Sequence, residues 1–226
     1  MRSFFGIVAC GAMVAASGCS SQRASSWKYP PPLFDTRAER PTAPQPRVQP
    51  APSAPAIAGE PGWLPPGGIK QKWTDIVIHH SASRSGGAAA FDRYHRTVQH
   101  WDELGYHFVI GNGTDTRDGQ VEVGGRWTKQ KHGAHCKTPD NYYNEHGIGI
   151  CLVGDFSKTS PSAAQLASLQ RLLLFLTARC HIPVSRIRTH GGVTHKTQCP
   201  GRNFPLAQVQ RNLTLSQRRM ATAGSQ

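Results

Sequence analysis

The chain has 226 residues, of which 38% are hydrophobic and 17% are charged, so one medium globular domain with extensions is expected. The formal net charge of +13 either favours an anionic partner (cell-wall polymer, lipid headgroup or nucleic acid) or only keeps the protein soluble. No basic run is interleaved with aromatic residues, so a nucleic-acid partner is not expected.

The N-terminus has the pattern of an export signal. Arg2 supplies a positive charge, and the apolar run over residues 4–16 is too short to cross the ~30 Å hydrocarbon core of a bilayer comfortably but suits a cleaved signal. The following Ala-Ser-Gly-Cys resembles a bacterial lipobox with Cys19 as the lipidated residue, although Ala16 stands where leucine is usual. An ordinary signal peptide with a chance cysteine is the alternative.

Because serine follows Cys19 where an aspartate would be the other choice, the resemblance to Gram-negative lipoproteins favours the outer membrane. The predicted location is therefore the periplasm, with the protein held on the membrane by a lipid at Cys19.

A proline-rich linker is predicted over residues 20–66. Twelve of the 17 prolines lie between residues 30 and 66, and proline favours extended polyproline II backbone. At ~3.1 Å per residue the stretch reaches on the order of 100 Å. Whether it is extended or simply disordered, it serves as a spacer between an anchor and a domain.

Three strands and one helix open the folded part, which begins near Trp63. The β-branched run over 75–80 predicts a strand. Residues 88–101 have helical spacing, with Phe91, Tyr94 and Val98 on one side. Two further strands, over 106–110 and 120–123, flank a Gly-Asn-Gly-Thr-Asp turn.

The second half of the domain alternates strand and helix. The apolar run over 147–153 is typical of a strand buried on both faces. The clearest helix opens at Ser160-Pro-Ser, with Leu166, Leu169, Leu173 and Leu176 along one stripe. A short strand over 186–189 and a last helix over 205–212 follow, and the polar tail over 216–226 is expected to fray.

This alternation predicts an α/β fold in which a mixed central β-sheet is flanked by helices. The sequence divides into a signal at 1–19, a disordered linker at 20–66, one domain at 67–215 and a disordered tail at 216–226.

Three residues form a candidate metal site. His79 lies at the end of the first strand, His190 follows the short strand, and Cys199 precedes Pro-Gly. Imidazole and thiolate are good zinc ligands, and a catalytic zinc keeps three protein ligands plus one water. Gly191 and Gly192 would let the chain turn back between the last two. Spacing alone does not identify the site, because a compact motif such as HExxH is absent.

Five sequence blocks occur in a familiar order. Together they resemble the zinc N-acetylmuramoyl-L-alanine amidases, the family of amidase-type phage lysozymes and peptidoglycan-recognition proteins, over residues 73–213. The blocks are Ile-Val-Ile-His-His-Ser-Ala (76–82), Gly-Tyr-His-Phe-Val-Ile (105–110), Gly-Ala-His (133–135), Asn144 with Gly-Ile-Gly-Ile-Cys-Leu-Val-Gly (147–154), and Thr-Gln-Cys-Pro-Gly (197–201).

The resemblance implies that His79, His190 and Cys199 bind Zn²⁺. His80 is expected to point to the opposite face of the strand from His79. Some relatives have aspartate at the position of Cys199. The resemblance thus implies an amidase domain over residues 67–215 that acts on peptidoglycan or muropeptides. The protein is expected to be a monomer.

The resemblance also implies catalytic residues. Tyr106 corresponds to the proton-handling or water-orienting residue, although composition alone favours a core tyrosine there. Some relatives carry a lysine at the position of Thr197, which is therefore assigned a hydrogen-bonding role near the oxyanion, with Lys196 as a substitute. Residues 149–154 lack the glutamates of the intracellular branch, so more proton handling falls to Tyr106 and the zinc-bound water.

His135 and Asn144 are assigned to substrate binding by the same comparison. Cys151 is expected to be a buried free thiol, and an oxidising periplasm permits a disulfide between Cys136 and Cys180 without establishing one. The predicted function is hydrolysis of the amide bond between N-acetylmuramic acid and L-alanine by a zinc-activated water. A module that binds peptidoglycan without cleaving it is the alternative.

Overall fold

The computed structural model of the protein describes residues 62–223. The predicted signal, its Cys19 and most of the predicted linker lie outside these residues. Within residues 62–223, no helix has the length and apolar character needed to cross a bilayer.

Five strands form one mixed sheet, in the order β3-β2-β4-β1-β5. Strands β1, β2, β4 and β5 run parallel, and β3 is antiparallel to β2. The predicted α/β fold with a mixed central sheet is thus confirmed. The strands are β1 (Asp75–His80), β2 (Phe108–Ile110), β3 (Val121–Val123), β4 (Gly147–Leu152) and β5 (Ile187–Thr189).

Six α-helices and one 3₁₀ turn at Val184–Arg186 connect and cover the sheet. The long helix α4 begins with a capping box, in which Ser162 and Gln165 each accept a hydrogen bond from the other's backbone N–H. The helices are α1 (Ala88–Thr97), α2 (Gly125–Thr128), α3 (Tyr142–His146), α4 (Ala163–Cys180), α5 (His190–Thr194) and α6 (Leu206–Ala223).

One face of the sheet carries the main hydrophobic core. Alternate residues of the strands point to this face and pack against α4 and α6. The leucine stripe predicted for α4 lies here, with Leu169, Leu173 and Leu176 fully buried and Leu166 partly so. The strand residues on this face are Ile76, Ile78, Phe108, Ile110, Ile148, Ile150 and Leu152.

The opposite face has a smaller core beneath α1. Phe91, Leu104, Val109, Cys151 and Val153 form this second cluster, and Tyr106 packs against its edge. Side chains alternate along β1, so His79 belongs to this face, as does its register partner Cys151 in β4. The site therefore lies on the less crowded side of the sheet.

Three predicted boundaries differ from the structure by more than one residue. Residues 106–107 precede β2 rather than belonging to it, and α1 ends at Thr97 because His100 turns the chain with φ of 55°. Helix α6 continues to Ala223, well past the predicted end at residue 212. It contains no glycine or proline, Leu213 is fully buried, and Gln217 donates to the Thr177 hydroxyl. The polar segment after residue 216, which was expected to fray, is therefore helical as far as Ala223.

The folded part also begins before residue 67, where the linker was predicted to end. The Trp63 side chain is 3% exposed and meets the Phe175 ring edge-on, with ring centroids 5.6 Å apart. The Trp63 carbonyl accepts a hydrogen bond of 2.6 Å from the Trp127 indole. Trp63 thus attaches the chain to the core just before the last two prolines of the proline-rich stretch.

Candidate metal centre

Three potential ligands meet at one edge of the sheet. His79 is the fifth residue of β1, and His190 directly follows β5, its parallel neighbour. Parallel strands end at the same edge, which places both imidazoles there. Cys199 reaches the same place because its carbonyl accepts a 2.7 Å hydrogen bond from the backbone N–H of Gly191. The loop between them is closed at its base.

The ligand atoms of these residues lie within 4.8 Å of one another. The Sγ atom of Cys199 is 3.8 Å from Nδ1 of His79, and the two imidazole centroids are 4.7 Å apart. His79 and Cys199 are buried and His190 is partly buried, so one side of the cluster remains accessible. The structure brings together all three residues that the sequence predicted.

Burial controls the protonation of the cluster. Burial lowers the pKa of His79 well below its ordinary value, with further lowering by His190, His135 and His80. Burial also lowers the pKa of His190 to about 4. In contrast, burial raises the pKa of the Cys199 thiol to about 12. Near neutral pH the cluster thus offers two neutral imidazoles and a thiol.

One backbone contact favours a negative charge on the Cys199 sulfur, and a second fixes the backbone beside it. The N–H of His80 donates to its Sγ atom over 3.4 Å, and the N–H of Cys199 itself donates to the Thr197 hydroxyl over 3.1 Å. The His80 side chain lies on the other face, as predicted, where its Nδ1 accepts from the N–H of Phe156. His80 thus serves the cluster through its backbone.

Tyr106 stands beside the cluster just before β2. Its ring centroid is 5.2 Å from that of His79 and 5.7 Å from that of His95. Burial, together with the neighbouring Cys151 and Cys199 thiols, raises the pKa of the Tyr106 hydroxyl well above its ordinary value. The phenol is therefore protonated, and it is a hydrogen-bond donor rather than a base.

His135 and Asn144, assigned to substrate from the sequence, make other contacts. Both are buried. The two ring nitrogens of His135 lie against His79 and the Gly147 carbonyl. The Asn144 side chain accepts from the N–H groups of His135 and Cys136 and donates to Asn141. Their polar atoms are thus engaged by the protein, and the predicted contacts with substrate stay a prediction.

The remaining predicted residues differ in exposure. Thr197 is partly buried beside Cys199, whereas Lys196 is exposed. Cys151 is a buried free thiol, as predicted, and Cys136 and Cys180 are also free. The permitted disulfide between the last two is therefore absent from the described part of the chain.

Arg126 is a buried supporting residue that the sequence reasoning missed. Its side chain is 2% exposed and donates to the carbonyls of Leu104 and His132, each over 2.7 Å, and to the Asp102 carboxylate. These contacts join the segment before Tyr106 to the segment before His135. No local pattern marks an arginine whose partners lie more than five residues away.

Replacing Arg126 with leucine is expected to destabilise the domain by about 2–4 kcal/mol, since the carbonyls of Leu104 and His132 lose a charged donor. Urea unfolding followed by circular dichroism would measure the change. Arg126→Lys, which keeps one donor, should lose less. Equal stability of the leucine variant and the unmodified protein would contradict this role.

Known proteins are similar in sequence to the region of this chain that contains the cluster. Residues 70–202 match the model of a protein family described as N-acetylmuramoyl-L-alanine amidase. The endolysin of Escherichia phage T7 is 35% identical over 133 residues, which cover 55% of this chain and 78% of the phage protein. A pig N-acetylmuramoyl-L-alanine amidase is 31% identical over 138 residues, 56% of this chain but 21% of that protein.

A peptidoglycan-recognition protein and a solved structure are also similar. Peptidoglycan-recognition protein SC2 of Drosophila melanogaster is 30% identical over 136 residues, 57% of this chain and 68% of that protein. The N-acetylmuramoyl-L-alanine amidase LysC from Clostridium intestinale superposes with a TM-score of 0.56 and 26% identity, covering 64% of this chain and 87% of that one.

Proposed function

Because this chain belongs to the N-acetylmuramoyl-L-alanine amidase family, we propose that it hydrolyses the amide bond between N-acetylmuramic acid and L-alanine in peptidoglycan or muropeptides. The observation that carries the proposal is the convergence of His79, His190 and Cys199 within 4.8 Å. These residues are separated by up to 120 positions, and the fold has no structural need to gather them.

The donor set of the cluster fits zinc. Zinc prefers nitrogen and sulfur ligands, and in catalytic sites it has three protein ligands and an open position. The two imidazoles are neutral and so have free lone pairs, and the His80 N–H supports a thiolate on Cys199. A zinc ion held there would acidify a water toward pKa ~7 and polarise the scissile carbonyl.

The surrounding side chains supply the remaining requirements of amide hydrolysis. The protonated Tyr106 phenol can orient the attacking water or donate to the oxygen that becomes charged. The Thr197 hydroxyl accepts from Cys199 N–H, and its own hydrogen remains available for an oxyanion. Lys196, exposed at the same loop, is the second candidate for that role.

Recognition of peptidoglycan without cleavage is the alternative function. The similarity to peptidoglycan-recognition protein SC2 supports this alternative. A module that only binds needs neither a metal ligand set nor a phenol ring beside it. The combination of His79, His190, Cys199 and the adjacent Tyr106 ring therefore favours hydrolysis.

Incubation of the zinc-loaded protein with purified peptidoglycan tests the proposal. Mass spectrometry of the products should show stem peptides with a free L-alanine amine and glycan strands that have lost them. Retention of the protein on peptidoglycan with no released peptide would favour the recognition module instead.

Metal binding is expected to release about one proton at pH 6, because the Cys199 thiol, with a pKa raised to about 12, must ionise. The pKa of His190, lowered to about 4, and that of His79, lowered well below its ordinary value by burial, leave both imidazoles already neutral. Apparent zinc affinity should then rise about tenfold per pH unit. Calorimetry in two buffers with different protonation enthalpies counts the protons. Release of two or more would contradict the assigned protonation states.

We further propose that the protein is held on the periplasmic side of the outer membrane by a lipid at Cys19. The proposal rests on the sequence before residue 62 and on the proline-rich spacer. Replacing Cys19 with serine is expected to move the protein from the membrane fraction to the soluble fraction of cells. Continued incorporation of labelled fatty acid into that variant would contradict a lipid at this residue.

A further inference from the structure

The side chain of His135 links one ligand of the metal cluster to the sheet. Its Nδ1 lies 3.1 Å from Nε2 of His79, and its Nε2 lies 3.1 Å from the carbonyl oxygen of Gly147. The residue is 8% exposed, so solvent and substrate have little access to it. Both ring nitrogens are already occupied by protein groups.

These two contacts determine which nitrogen of each ring carries hydrogen. A carbonyl oxygen only accepts, so Nε2 of His135 must donate to Gly147. In the neutral ring, Nδ1 of His135 then has a lone pair and must accept from His79. The neutral form of the ring is the one that such a buried position favours. His79 is consequently protonated on Nε2.

The lone pair of His79 is therefore on Nδ1, the atom that lies 3.8 Å from the Sγ atom of Cys199. A neutral histidine can bind a metal only through its unprotonated nitrogen. If His79 adopted the other tautomer, a hydrogen would occupy the position that a metal needs. The hydrogen bonds from Gly147 through His135 to His79 select the tautomer that can bind a metal.

We propose that His135 is a positioning residue that holds His79 with Nδ1 unprotonated and directed at the metal position, rather than a residue that contacts substrate. The inference rests on the proposed function for the identity of the metal. A histidine ligand commonly donates its second N–H to a fixed acceptor, and loss of such an acceptor typically weakens metal binding about 10–100-fold.

The surroundings of the His135 ring are built to hold it in place. A Cβ atom at Gly149 would lie 2.4 Å from the ring, and one at Gly133 would lie 2.3 Å from it. Any side chain at either position would displace the imidazole. The ring thus occupies a space that two glycines leave open.

The backbone of this segment is fixed independently of the ring. The Asn144 side chain accepts from the N–H groups of His135 and Cys136 over 2.8 and 2.7 Å, and Ala134 N–H donates to the Gly105 carbonyl. Asn144 is itself 7% exposed. Asn144 therefore holds the backbone of the loop that carries His135. His135 in turn contacts His79.

A matched pair of substitutions tests the proposal. Asparagine at residue 135 places an acceptor oxygen where Nδ1 now lies, whereas leucine has the same branching without an acceptor. Both variants lose the bond to Gly147, so that loss cancels in the comparison. We expect His135→Leu to weaken zinc binding about 10–100-fold and His135→Asn to retain an affinity within about threefold of the unmodified protein.

Zinc affinity is measured by competition with a fluorescent chelator, with thermal unfolding of the metal-free proteins to verify that each variant is folded. Equal weakening in both variants, or none in His135→Leu, would overturn the proposal. Should the unmodified protein bind no zinc, the proposed function fails instead.

Nitrogen NMR of the histidine rings in the metal-free protein gives a second readout that needs no metal. Its decisive measurement is made on the unmodified protein. His79 should be protonated on Nε2 in the unmodified protein and in His135→Asn. A His79 ring protonated on Nδ1 in the unmodified protein would overturn the proposal, even if His135→Leu does not fold.

Discussion

Replacing Cys199 with alanine is expected to abolish both stoichiometric zinc binding and hydrolysis of peptidoglycan. The thiolate is the one anionic ligand of the cluster, and zinc sites typically draw about 10–16 kcal/mol from their full ligand set. Loss of one ligand should therefore weaken binding by ~1,000-fold or more. Metal content after gel filtration and peptide release from purified peptidoglycan measure the two effects.

Two further variants make this result specific. Cys180→Ala removes a thiol at the end of α4, outside the metal cluster, and should leave zinc content unchanged. Cys199→Asp should recover part of the binding, because a carboxylate can accept the His80 N–H that now donates to Sγ. Full activity of metal-free Cys199→Ala would exclude the cluster as the catalytic site.

Replacing Tyr106 with phenylalanine is expected to lower turnover about 100–1,000-fold while leaving zinc content intact. The phenylalanine ring preserves the packing against His79 and His95, so the change removes the hydroxyl alone. Turnover and zinc content are measured on the same preparation. Tyr94→Phe on α1 is the matched control and should retain activity.

An unchanged turnover in Tyr106→Phe would remove the phenol from the mechanism and leave water orientation to Thr197 or Lys196. A loss of zinc together with activity would instead assign Tyr106 a structural part in the metal cluster. The two outcomes separate a chemical role from a packing role.

The sheet and the convergence of the three candidate ligands were predictable because they depend on local patterns and on a recognisable order of sequence blocks. Strand β1 has the predicted bounds, and β4 differs by one residue at its end, since β-branched and apolar runs mark buried strands. Alternation along β1 also placed His79 and His80 on opposite faces.

The roles of His135 and Asn144 were not predictable, because both depend on tertiary contacts. His135 meets a residue 56 positions away, and whether it faces substrate or His79 depends on the space above Gly149. Resemblance identified a position near the cluster, but burial decided what its side chain contacts. Arg126 was missed for the same reason.

The end of the last helix was predicted too early because polar composition was equated with disorder, and the predicted linker was extended past the folded start near Trp63 because of its prolines. Helix α6 exposes a polar side yet buries Val209 and Leu213, and packing of one face contributes most of the stability of a helix in a protein. Trp63 lies between prolines in sequence but is buried in the core.

The attachment at Trp63 determines how mechanical load would enter the domain. Tension along the preceding chain has to extract an indole from the core and break its carbonyl's bond to Trp127 before it reaches β1. That strand is held on both sides by parallel neighbours, and it carries His79 near its far end. If the domain is tethered as proposed, tension along the linker would therefore load the Trp63 attachment before it loads the strand that carries His79.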